Sequence, residues 1–311
     1  MDQATTLRNI VNAHKVTAPA QPAFKGRMRV IAVTSGKGGV GKTNIVLNLC
    51  LALATLRRRV FLLDADMGLA NVDVLLGMAP RYTLEHVLNG QKTVMDIALE
   101  GPHGFRILPA SSGISELSEM TYEQQMRLFR ELSRIEEEVD YLFLDTGAGI
   151  SSNVLRFNAS ANEVILVANP EPTSITDAYA LMKLLSIKYH IRDFGLIANS
   201  TASEDDGRGV YDRLNRVCSQ FLQVNLTFLG SIPFDKHVRA AVRQQRPVLE
   251  LYPASPAAKS LTQIAALLDK TPVAPGVSTL GATPGLAVAA ELAAARLESP
   301  FWDRLLHWKK A

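Results

Sequence analysis

Between residue 28 and about residue 269 the chain alternates short β-branched runs with longer segments of helical periodicity. Val30–Thr34, Val60–Asp64, Phe105–Leu108, Tyr141–Asp145, Val164–Ala168, Phe194–Ala198 and Leu226–Ile232 read as strands, most of them bounded by Gly, Pro, Asn or Asp. Strand–helix alternation over this length predicts an α/β fold, a mainly parallel sheet covered by helices on both faces. Outside this zone the pattern changes. Residues 1–27 are short of apolar positions, and the basic cluster Lys25, Arg27 and Arg29 closes this stretch. Thr271–Gly285 holds three prolines, three glycines and no charge, which reads as a flexible linker. An Ala-rich helical pattern follows over Leu286–Glu298, and then a separate terminal segment. The expected organisation is an arm at 1–27, a core domain at 28–269, a linker with an Ala-rich helix at 270–298 and a terminal helix at 299–311.

Composition narrows the class. The 311 residues are 47% hydrophobic and 20% charged, which excludes a wholly disordered chain, a coiled-coil rod and a collagen-like repeat. Thirty-three basic residues against 30 acidic ones leave a net charge of +3, so direct DNA binding is not expected. The two cysteines, Cys50 and Cys218, lie far apart, which speaks against a disulfide framework and suits a reducing cytosol. No run of about 18 apolar residues is present, and Met1–Lys25 lacks the apolar core of a signal peptide. A soluble cytoplasmic protein is expected.

The strongest chemical signal is Gly36-Lys37-Gly38-Gly39-Val40-Gly41-Lys42-Thr43, which satisfies G-x-x-x-x-G-K-[ST]. It follows a predicted strand and opens a predicted helix over Thr43–Leu56, the context that motif needs. Glycines let successive backbone N–H groups and the helix N-terminus converge on an anion. Lys42 would bring positive charge to the β- and γ-phosphates of ATP, and Thr43 a hydroxyl to Mg²⁺. Two acid-bearing strands fit the same site. Val60–Asp66 ends in Asp64 and Asp66, whose spacing of two puts both on one face if the strand extends that far. Tyr141–Asp145 ends in a Walker-B-like acid followed by Thr146-Gly-Ala-Gly149. Ligands of open α/β sheets bind at the carboxyl ends of strands, where all three acids fall.

Lys37, in Lys37-Gly-Gly-Val-Gly-Lys-Thr43, resembles the signature lysine of the deviant Walker A ATPases, the MinD/ParA family. The resemblance implies a homodimer bridged by ATP, with Lys37 reaching the partner subunit's phosphates and Lys42 holding phosphate in cis. It also implies that Thr43, Asp64 and Asp145 serve the Mg²⁺ and that Asp66 positions the attacking water. Gly36, Gly38, Gly39, Val40, Gly41 and Asn44 complete the phosphate loop. Asn169-Pro-Glu-Pro-Thr-Ser174 resembles the family segment whose glutamate, here Glu171, contacts ribose across the dimer. Asn199 and Pro233 match the segments that frame adenine, although an Asn at a strand end is equally a turn residue.

Within the family, Lys42-Thr-Asn44, Asp145-Thr-Gly-Ala-Gly149 and an N-terminal Asp2-Gln-Ala4 followed by Leu7-Arg8 resemble the FlhG (FleN) branch, which controls flagellar number and placement. Division-site (MinD-like) or chromosome-partition (ParA-like) positioning is the alternative. Asp2 can cap a short helix with Ala4, Leu7 and Val11 on one face, a helix that forms mainly against a partner. A disordered start of chain is the other reading. The branch implies that Asp2, Gln3, Ala4, Leu7 and Arg8 dock on the signal-recognition-type GTPase FlhF. Further partners it implies are flagellar switch-complex proteins and a flagellar transcription activator.

Ser299-Pro300 suits the start of a helix. Phe301, Trp302, Leu305, Leu306 and Trp308 then fall on an arc of about 160°. Two tryptophans, a phenylalanine and terminal lysines suit a helix lying in lipid headgroups at the inner face of the cell membrane, a cell pole included; docking onto the protein core is the other reading. Two other activities use the same phosphate loop. An iron–sulfur carrier needs bridging cysteines, which Cys50 and Cys218 do not resemble in placement, Cys50 falling inside the P-loop helix pattern. A small-molecule ligase or kinase leaves the terminal amphipathic segment without a role.

Overall fold

The computed structural model describes residues 28–66, 72–109 and 121–271. The docking residues Asp2, Gln3, Ala4, Leu7 and Arg8, the Ala-rich helix and the apolar arc Phe301, Trp302, Leu305, Leu306 and Trp308 lie outside them.

Among the described residues eight strands form one sheet in the order β3-β4-β2-β5-β1-β6-β7-β8. They are β1 (Arg29–Ser35), β2 (Val60–Ala65), β3 (Leu99–Glu100), β4 (Arg106–Leu108), β5 (Tyr141–Ala148), β6 (Glu163–Ala168), β7 (Asp193–Thr201) and β8 (Asn225–Pro233). Every pairing is parallel except that of the two-residue β3 with β4. The helices are α1 (Lys42–Thr55), α2 (Val72–Leu75), α3 (Leu84–Leu88), α4 (Val94–Ile97), α5 (Tyr122–Ile135), α6 (Ser152–Ser160), α7 (Pro172–Tyr189), α8 (Glu204–Phe221), α9 (Lys236–Arg243), α10 (Val248–Leu251) and α11 (Pro256–Lys270).

Successive side chains of a strand point to opposite faces, and both faces here are covered. Ile31, Val33, Leu62, Phe143 and Ile165 pack on one side with α1 and α11. Val30, Ala32, Phe61, Leu142 and Leu144 pack on the other with α3–α6, and Leu166, Leu196 and Ala198 with α7 and α8. Helix α1 is apolar nearly all round because it lies between the sheet and α11; Cys50 is part of this core. Burial of apolar side chains at about 25 cal/mol per Å² drives this three-layer arrangement.

Three expectations change. Strand β5 does not stop at Asp145 but runs on to Ala148, because Thr146 still pairs with Ala65 and Ala148 with Ser35. Strand β2 ends at Ala65, so Asp66 stands just past the strand rather than on it. Arg29 is no surface base: it is the buried first residue of β1.

Candidate nucleotide site

The carboxyl ends of β1, β2, β5, β6 and β7 gather the candidate residues. β1 lies between β5 and β6, so the turn after Ser35 opens where chain connections leave to both sides, the usual ligand crevice of such sheets. Two glycines are sterically required there. A Cβ on Gly36 would sit 2.1 Å from the backbone of Asp177 in α7. Gly41 has φ 88°, a left-handed conformation costly for other residues, and a Cβ there would meet the Asn199 amide at 2.5 Å. Asn199 Nδ2 donates to Val40 O at 2.7 Å, so β7 braces the turn from the side. Asn199 is thus interior to β7 rather than at a turn, and Pro233, closing β8, pairs with Thr201 two residues on.

Lys42 opens α1 and donates through Nζ to Asp145 Oδ1 at 2.6 Å. Both side chains are buried, Lys42 at 8% exposure and Asp145 at 1%. The other Asp145 oxygen, Oδ2, is buried without a hydrogen-bond partner. Burial pushes the Asp145 carboxyl above the usual carboxylate range, against the pull of the Lys42 ammonium and the Thr43 hydroxyl, and Asp66 adds to the rise. Asp64 is the register partner of Asp145 on the adjacent strand. Its Oδ1 accepts from Asp66 N at 3.1 Å and its Oδ2 from Val72 N at 3.3 Å, so it fixes both ends of the segment after β2. A Cβ on Gly147 would lie 3.3 Å from Asp66 Oδ1, so the glycine of Asp145-Thr-Gly leaves room for that carboxylate.

Lys37 has an intramolecular partner that its sequence context did not suggest. Its Nζ donates to Glu171 Oε2 at 2.9 Å and Thr173 Oγ1 at 3.2 Å, all on the surface. The pairing β1–β6 is the cause: α7 starts just after β6, and its first turn faces the start of the phosphate loop. Thr43 and Asn44 lie in the first turn of α1. Asn48, one helical turn on, was not singled out from sequence. It donates to Asn44 O at 2.7 Å and accepts from Leu249 N at 3.0 Å, tying α1 to α10. An Asn within an otherwise apolar run, residues 45–53, was the available signal.

A glycine-rich turn at a helix N-terminus, a buried lysine and three acids at strand ends form an anion and cation site of the P-loop kind. The ParA family profile, described as NUBPL iron-transfer P-loop NTPase, matches residues 27–269. The chain belongs to the MinD/ParA family of P-loop ATPases. Like other members of that family it is an ATPase. It is 48% identical over 246 residues to the antiactivator FleN of Pseudomonas aeruginosa, covering 79% of this chain and 88% of that one. It is 34% identical over 268 residues to the flagellum site-determining protein YlxH of Helicobacter pylori, covering 86% and 90%. The MinC:MinD cell division complex of Aquifex aeolicus superposes with a TM-score of 0.64 at 28% identity, over 78% of this chain and 97% of that one. MinD of Pyrococcus horikoshii, solved with Mg-ADP, gives 0.62 at 25% over 78% and 96%. The iron-transfer name of the profile does not carry over to the cysteines: Cys50 and Cys218 are both buried in separate core clusters.

Proposed function

We propose that the chain is an ATP-switched homodimer that sets flagellar number and placement. The observation that carries the switch is the half-satisfied pair Lys42–Asp145. A buried polar oxygen without a partner costs free energy, about 1–3 kcal/mol, that a ligand can recover. When ATP arrives, Lys42 Nζ turns from Asp145 to the phosphates, and the freed carboxylate would be available to help hold Mg²⁺. Thr43, Asp64 and Asp145 would hold the Mg²⁺, which supplies charge neutralisation between phosphates. The orphaned Asp145 oxygen and the all-oxygen donor set fit such a hard cation. Asp66, just past β2, orients the attacking water. Lys37 leaves Glu171 and Thr173 to reach the partner's γ-phosphate, and Glu171 is then free for the ribose across the interface. Asn199 and Pro233 frame the adenine. Catalysis of this kind is positioning and electrostatics and needs no covalent nucleophile.

The flagellar reading is supported by the likeness to the flagellum site-determining protein YlxH, by 48% identity to the antiactivator FleN, and by the N-terminal Asp2-Gln3-Ala4 and Leu7-Arg8. In this reading the arm at 1–27 engages an FlhF-type GTPase, and the helix at 299–311 holds the dimer reversibly on the inner membrane face through Phe301, Trp302, Leu305, Leu306 and Trp308. The core domain at 28–269 is the switch. Two weak anchors on one dimer bind with higher avidity than one.

Light scattering with ATP and with ADP tests the switch. Wild type is expected to dimerise with ATP and Asp66→Ala to dimerise without turning over, whereas Lys37→Ala binds ATP and stays monomeric. A monomeric Asp66→Ala with ATP removes the water-positioning role. Cells carrying only Lys37→Ala should show an altered flagellar count by electron microscopy, and an unchanged count contradicts the flagellar role.

A further inference from the structure

Helix α9 carries its basic residues on one side. Val238 and Ala241 pack towards the core, while Lys236, Arg239 and Arg243, at i, i+3 and i+7, point outward and are exposed. Among the described residues none of the three meets a carboxylate; Arg246, just past the helix, is already paired with Glu250. At the head of the stripe Phe234 is 59% exposed, with the Arg239 guanidinium 5.6 Å above its ring. The stripe is held rigidly. Asp235 caps α9 by accepting from His237 N at 2.9 Å and binds the start of α11 through Ala257 N at 3.1 Å.

The far end of α9 is linked to the nucleotide site through α2 and α10. Gln245 sits there with φ 52°, and Arg246 N donates to Ala241 O, the helix-ending turn in which glycine is the usual residue. A glutamine there carries a backbone cost and brings a side chain. Its Nε2 donates to Val74 O at 3.0 Å, and the side chain lies over Gly77. Val74 belongs to α2, whose first N–H is held by Asp64. From α10, which follows that turn, Leu249 N reaches Asn48 and through it Asn44, next to Thr43.

We propose that the outer face of α9, with Phe234 at its head, docks an acidic segment of a partner protein, and that Gln245 makes this docking respond to the nucleotide. The second half rests on the ATP-switch reading; the first does not. Arginine with an aromatic is the composition of an interface anchor, and a planar guanidinium pairs bidentately with carboxylate. The stripe is only about 10 Å long at 1.5 Å per residue. It thus spans about three phosphates, whereas DNA binders commonly neutralise roughly 6–10. A lipid surface fits less well: the last described residue, Thr271, is bonded to Arg29 at the start of β1, the sheet edge opposite Pro233.

The test uses the full chain and a fluorescein-labelled helical peptide with Glu at i, i+4 spacing along one face and a leucine stripe beside it. Fluorescence anisotropy should show salt-sensitive binding that weakens roughly tenfold or more in Arg239→Glu/Arg243→Glu, with ATP turnover and ATP-dependent dimerisation retained. ATP should change the peptide affinity of wild type and not that of Gln245→Ala. Equal peptide affinity of wild type and the double variant overturns the docking face. Tighter binding of duplex DNA or phosphatidylglycerol vesicles through the same two arginines overturns the choice of partner. Loss of the dimer in the double variant would instead mark the face as covered by a second copy and overturn it too. An ATP effect that survives Gln245→Ala overturns the coupling, whereas wild type without any ATP effect or dimer points to failure of the switch reading itself.

Discussion

At the N-terminal edge of the sheet Arg29 is buried with every polar neighbour in use; at the opposite edge Lys42 and Asp145 are equally buried and an oxygen is left over. Arg29 binds Glu163 through Nε and Nη2, both at 2.8 Å, and Nη1 reaches Leu268 O at 2.6 Å and Thr271 O at 2.9 Å. Tyr141 and Arg58 both donate to Asp269, the Tyr141 hydroxyl at 3.0 Å and Arg58 at 2.8 Å. This cluster clamps the end of α11 to the start of β1, β5 and β6. At the nucleotide edge Asp145 Oδ2 is unpartnered and Gly41 is held at positive φ. The same fold thus holds buried charge in a closed network where it has only to be stable, and in an open one where it has to accept a ligand.

The largest effect should come from breaking the closed network. Arg29→Ala strands Glu163 and two carbonyls and is expected to cost about 3–5 kcal/mol, read as a fall in the urea midpoint at constant m-value. Asp145→Asn at the open edge should behave in the reverse way. It leaves the buried Lys42 ammonium facing a neutral amide, a loss offset because burial already disfavours the charged carboxyl, so stability should fall by less than in Arg29→Ala. ATP turnover, however, should fall by roughly a hundredfold or more. If Asp145→Asn proves as destabilising as Arg29→Ala, the two edges do not differ as described.

A smaller effect concerns pH. Burial pushes the Tyr141 hydroxyl up to about 12, against the pull of Arg29. A raised pKa stabilises the fold fully below the unfolded value of about 10, and that contribution is lost as pH rises through about 12. Asp269 has the opposite sign: burial raises it, but hydrogen bonds from Arg58 and Tyr141 prevail and hold it below the usual range. Its contribution is therefore present above about pH 4 and lost as pH falls through the depressed value. The stability gap between wild type and Tyr141→Phe should be constant near neutrality and shrink above about pH 10. A gap independent of pH over that range counts against the closed network.

The open edge was far easier to read from sequence than the closed one. Gly36–Thr43, Asp64, Asp66 and Asp145 announce themselves because backbone approach to phosphate demands glycine, and because acids at strand ends are conspicuous after apolar runs. The seven longer strands were visible for the same reason, while the two-residue β3 has too few positions to show a period. Arg29 looked like the end of a basic arm, since nothing local reveals partners 134 and 239 residues away. Lys37 likewise showed its signature but not its contact with Glu171, which depends on β6 lying beside β1. Gln245 could not be recognised at all: its role follows from a positive φ and from Val74, 171 residues earlier.

The most direct measurement is a thermal melt of Asp66→Ala, which is expected to retain bound nucleotide, with and without Mg-ATP, beside the same melt of Lys42→Ala. An unfinished site completed by ligand gains RT ln(1 + [L]/Kd), about 2.7 kcal/mol at a hundredfold excess over Kd. For a domain of this size that is roughly 5 °C or more. Asp66→Ala should show that rise and Lys42→Ala should not. No rise in the first, or an equal rise in both, would contradict a nucleotide edge built around the Lys42–Asp145 pair.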